Sequence, residues 1–111
     1  MKTMSEYLVA RRKCIAWCLK EFKNDGKRFT RKEFEMKVLD YCEIFRVDLI
    51  TPEGNNLNGV TGGWHFVSFD RVHNALQSLV RSGHLTFKNV DGYFVYSITS
   101  LVTPEYLQER I

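Results

Sequence analysis

The chain has 111 residues, 44% of them hydrophobic and 14% aromatic, which is enough for one packed core and excludes wholesale disorder. A formal net charge of +3, with 26% charged residues, leans towards polyanions without making the chain a polycation. Three cysteines are an odd number for a disulfide framework and no secretory leader is read at the start, so a cytoplasmic setting is expected; no apolar run approaches a membrane-spanning length, so no membrane partner is.

Thr3 and Glu6 have the spacing of a capping box, which predicts a first helix opening at Thr3 and running to about Lys23. Leu8, Ile15, Cys18, Leu19 and Phe22 recur at helical spacing as its buried stripe, and Asn24, Asp25 and Gly26 stop it. A second capping box, Thr30 with Glu33, starts a helix with the apolar positions Phe34, Val38, Tyr41, Cys42 and Phe45. Between the two, a very short strand fits at 27–29.

Over 46–67 the periodicity fails, and Pro52, Gly54, Gly59, Gly62, Gly63 and three asparagines predict a long loop. Ser68 reads as the N-cap of a third helix over 68–82, with the stripe Phe69, Val72, Leu76, Leu79 and Val80 and with Gly83 as its left-handed cap. Asp91-Gly92 suits a two-residue type I′ hairpin turn, which pairs Val90 with Tyr93, Asn89 with Phe94, Phe87 with Tyr96 and Leu85 with Ile98. That register sorts Leu85, Phe87, Phe94, Tyr96 and Ile98 onto one face, expected to be buried. Thr103-Pro104-Glu105 reads as the start of a short closing helix.

Helix, short strand, helix, helix, hairpin is the order of a winged helix-turn-helix domain. The run from Ala75 through Gln77, Arg81 and Gly83 to Leu85 resembles the end of a recognition helix entering a wing, and Asp91-Gly92-Tyr93-Phe94-Val95-Tyr96 resembles the returning wing strand of bacterial and phage regulators. Phe29-Thr30-Arg31-Lys32-Glu33-Phe34 is similar to the entry into the family's second helix. The resemblance implies an α+β fold, a single winged-helix domain over 1–111 with three helices, a C-terminal hairpin wing and a short closing helix. It also implies a transcriptional or phage regulatory factor that reads duplex DNA with the 68–82 helix, as a homodimer in the usual arrangement.

Residue chemistry is compatible with that role. Arg71, Asn74, Gln77, Ser78 and Arg81 lie off the third helix's apolar stripe; Arg reads guanine bidentately, and Asn or Gln reads adenine. The bland alternative is a solvated helix face. Residues 1–50 hold 12 Lys/Arg against 8 Asp/Glu and residues 51–111 hold 4 against 5, so phosphate contacts would come mostly from the first half. The candidates are Arg11, Arg12, Lys13, Lys27, Arg28, Arg31 and Lys32, with Lys88 alone on the hairpin.

A protein-binding role is the competing expectation: an adaptor, or an inhibitor of a host protein, using the 46–67 loop or the hairpin. Trp64, His65 and Phe66 would then supply an aromatic anchor, or else fold back to cap the core. Cys14, Cys18 and Cys42 lack the paired spacing of a structural zinc site and read as core thiols. No nucleophile elbow, metal-binding helix motif or phosphate loop is present, so neither catalysis nor a metal nor a cofactor is expected.

Overall fold

The computed structural model describes residues 4–26, 28–47 and 69–110. In chain order these form α1 (Met4–Asn24), β1 (Arg28–Thr30), α2 (Arg31–Phe45), α3 (Phe69–Arg81), β2 (Leu85–Val90), β3 (Tyr93–Ile98) and α4 (Pro104–Arg110). The fold is mixed α+β: among the described residues, four helices and one antiparallel sheet of order β1-β3-β2. No helix among them is long and apolar enough to cross a membrane.

Local chemistry accounts for most element ends. At the start of α2 the Thr30 hydroxyl accepts from the Glu33 N–H at 3.2 Å, and Glu33 Oε1 accepts from the Thr30 N–H at 3.0 Å, so two orphan donors are satisfied reciprocally. The helix ends on Arg46 in the left-handed region, φ 56°, where the Val47 N–H donates to the Cys42 carbonyl at 3.1 Å. α3 closes with a Schellman motif: the His84 N–H reaches the Leu79 carbonyl, the Gly83 N–H reaches that of Val80, and Gly83 itself sits at φ 84°. In the hairpin turn Asp91 and Gly92 have φ 51° and 85°, the two positive values a type I′ turn requires. The Thr103 hydroxyl caps α4 by accepting from the Tyr106 N–H at 3.0 Å.

All four hairpin pairs expected from the sequence are observed, and β1 adds Phe29 opposite Tyr96 on the other edge of β3. One buried cluster draws on all seven elements, including Tyr7, Cys18, Leu19 and Phe22 of α1, Phe29 of β1, and Phe34, Val38 and Cys42 of α2. Leu76 of α3, Leu85 of β2, Tyr96 of β3 and Leu107 of α4 complete it. Phe22 and Phe29 stack at 4.5 Å between ring centroids and Phe29 and Tyr96 at 5.7 Å, so the short β1 is held by aromatic packing as much as by its ladder.

Several expectations about burial need correction. Leu8 and Phe45 are about half exposed, at 47% and 49%, while Tyr7 and Cys14 take the buried positions at the start and middle of α1. The buried face of α1 keeps Cys18, Leu19 and Phe22 and widens to include Tyr7, Cys14 and Ala16, and both α2 and α4 pack against this helix. Phe87 and Phe94, expected in the core, are 46% and 52% exposed. They lie on the predicted face, but Phe94 is two residues nearer the turn than Tyr96, and Phe87, directly opposite Tyr96, is on the edge strand β2 while Tyr96 is on the central strand beside Phe29. The expected cap Thr3, Lys27 of the short strand, the N-cap Ser68 and the loop from 48 to 67 lie outside the described residues.

Candidate nucleic-acid interface

α3 buries Val72, Ala75, Leu76 and Leu79 and turns Asn74, Gln77, Ser78 and Arg81 outward, all four exposed. Positions 74, 77, 78 and 81 are spaced three or four apart, so they share one face of the helix. The amphipathic period fixes this arc: once the stripe is committed to the core, these four positions are left facing outward. Arg71 stands one turn earlier on that side, but its side chain lies outside the described residues.

The basic residues do not form one patch. Arg11 and Arg12 of α1 and Ser78 of α3 line one cleft, together with Leu79 and Tyr106. Neither guanidinium has an ion pair among the described residues. Lys13, next in sequence, lies on another flank of α1 in a groove with Tyr41, Phe45 and Val47. At the start of α2, Arg31 Nε pairs with Glu35 Oε1 at 2.9 Å, one turn on, and Lys32 is exposed beside it.

On the sheet, Lys88 is opposite Val95, which is opposite Thr30, and Arg28 is opposite Ser97. These positions alternate with the core-facing Phe29, Leu85 and Tyr96, so Arg28 and Lys88 share the outer sheet face. Lys88 is therefore accompanied by a second cation that only the pairing of β1 with β3 brings there. Trp64, His65 and Phe66 lie outside the described residues.

A feature the sequence did not disclose is the apolar end of the hairpin. Phe87 and Phe94 pack edge to face at 5.6 Å on one face, and Val90 and Tyr93 emerge on the other, 47% and 70% exposed. The alternation of apolar and polar residues was the available signal, but it is identical for a strand that ends under the helices and one that outruns them.

None of the three cysteines is in a disulfide, and all three are buried. Burial, and then a hydrogen bond with Cys14, push the Cys18 thiol well above its usual pKa, which keeps it protonated and a poor nucleophile. Among the described residues no group of three His, Cys, Asp or Glu side chains is placed to hold a metal ion.

No family model matches this chain, and no curated protein and no solved structure matches it. The reading of its function therefore rests on the geometry above.

Proposed function

We propose that the chain is a winged-helix protein that binds duplex DNA, with α3 as the recognition helix in the major groove and the β2–β3 hairpin as the wing. The observation that carries this reading is the exposed arc of Asn74, Gln77, Ser78 and Arg81, flanked across a cleft by the guanidiniums of Arg11 and Arg12, which have no ion pair among the described residues. Side chains able to read base edges stand next to cations able to hold phosphate. The order of elements and the hairpin next to α3 support the same reading, as does the pairing of β1 with the returning strand.

The test is binding of a mixed-sequence duplex pool by fluorescence anisotropy at rising salt. Affinity should fall steeply as salt rises, because each neutralised phosphate releases counterions. On a selected site, Asn74→Ala and Gln77→Ala should each cost about 1 to 3 kcal/mol and relax preference at one base pair, while Arg12→Ala should weaken all sequences alike. Absence of binding at low salt rejects the reading.

A second reading has one specific observation in its favour. The hairpin end offers Phe87, Val90, Tyr93 and Phe94, with Lys88 the one Lys or Arg within residues 85–98, a surface more apolar than a phosphate-contacting wing needs. If duplex binding fails, contact with another protein through this end is the reading that remains.

A further inference from the structure

The cleft between α1 and α3 has a property separate from any contact with nucleic acid. Its floor is Ala16 and Leu19 of α1 with Ala75 and Leu79 of α3, all buried. Buried alanines stand on both helices where leucines would close the space. The cleft, open to solvent, offers about 180 Å³. An apolar cavity of about 150 Å³ accommodates one benzene ring, so a body of that size fits here and a drug-sized one does not.

The mouth has a different chemistry. Arg11 and Arg12 contribute two guanidiniums and Ser78 an exposed hydroxyl, and among the described residues no carboxylate lines the cleft. Two adjacent like charges with no ion pair among the described residues, set over an apolar floor, complement a ligand with one anionic end and one apolar end. Arginine holds carboxylates through paired N–H donors.

We propose that this cleft binds a small carboxylate with a compact apolar body, an aromatic or branched aliphatic acid of about one ring in size. The body rests against Leu8, Ile15 and Tyr106, the lining residues that are at least partly exposed, and the carboxylate meets Arg11 and Arg12. The binding stands without the nucleic-acid reading. Only its consequence rests on that reading: a ligand engaging Arg12 beside the exposed arc of α3 competes with phosphate there.

The experiment is a titration of the full ¹⁵N-labelled chain with benzoate, followed by amide shifts and matched in ionic strength with sodium chloride. Benzyl alcohol and benzylammonium serve as neutral and cationic probes of the same size. Benzoate should saturate, with shifts concentrated at residues 8–19 and 75–79, and benzyl alcohol should bind at least about tenfold more weakly, the loss of a charge-assisted hydrogen bond. Arg12→Gln should weaken benzoate to a similar degree. Leu8→Glu should abolish it, since Leu8 is half exposed at the rim and tolerates a charge that repels the ligand. Equal binding of benzyl alcohol, shifts spread over distant cations such as Arg28 and Lys32, or failure to saturate would each overturn the proposal. Benzoate binding without duplex binding would leave the cleft standing and reject the DNA reading; duplex binding without benzoate binding would do the reverse.

Discussion

The two ends of the hairpin are built from the same residue types on the same face and have opposite fates. At the root, Leu85 and Tyr96 are almost wholly buried, and Tyr96 stacks on Phe29, which stacks in turn on Phe22. Phe94, two residues nearer the turn, and Phe87, opposite Tyr96 but on the edge strand, pack on each other and remain about half exposed. Strand alternation decides which face an aromatic takes. How much that aromatic stabilises the protein depends on whether a helix lies beneath it.

Substitutions at the two ends should separate them clearly. Phe29→Ala removes the ring between α1 and the sheet and should cost about 3 to 5 kcal/mol, a large part of a small domain's stability, read as a fall in the urea midpoint. A fall no larger than that of a surface variant would mean that β1 is not integral to the core.

Two of the left-handed glycines, one before β2 and one in the hairpin turn, sharpen the same contrast. Gly83→Ala and Gly92→Ala should each cost about 1 kcal/mol for the backbone conformation. At Gly83 the new methyl would also stand 3.2 Å from Leu101 Cδ1, whereas at Gly92 it meets open space. Gly83→Ala should therefore be the worse of the two in thermal melts, and the reverse order would place the strain at the tip.

Phe94→Ala should cost about 1 kcal/mol or less, because the side chain is already half in water. If it melts the protein as far as Phe29→Ala does, something covers the hairpin end. An unchanged melt combined with lost partner binding would support the protein-contact reading of that end.

The smallest effect is expected at alkaline pH. Burial raises the Tyr96 pKa, partly offset by Arg31, so the folded state holds the hydroxyl proton more tightly than the unfolded chain. The resulting stabilisation is complete below the ordinary tyrosine value of about 10 and is lost as pH rises through the higher folded value. Tyr41 shifts in the same direction, so Tyr96→Phe should flatten the alkaline fall in melting temperature without abolishing it. An identical slope in the variant would show that Tyr96 keeps access to water.

The elements governed by neighbouring residues were legible in the sequence. The Thr30–Glu33 capping box, the Gly83 cap, the Asp91-Gly92 turn with its full register and the Thr103 cap of α4 all depend on contacts a few residues apart, and all are observed. The outward arc of α3 was legible for the same reason, since its apolar stripe leaves only one side for Asn74, Gln77, Ser78 and Arg81.

What the tertiary structure decided was every property that depends on which element lies beside which. On α1, which packs against both α2 and α4, Tyr7 and Cys14 are buried while Leu8 is half exposed, and the place of Phe87 on the edge strand and of Phe94 towards the turn leaves both rings outside the core. Chain neighbours were separated in the same way, with Arg12 in the cleft beside Ser78 and Lys13 in the groove beside Tyr41. Successive residues on a helix point about 100° apart, so a run of basic residues spreads around the helix, and only the packing of its neighbours determines which of those charges meet.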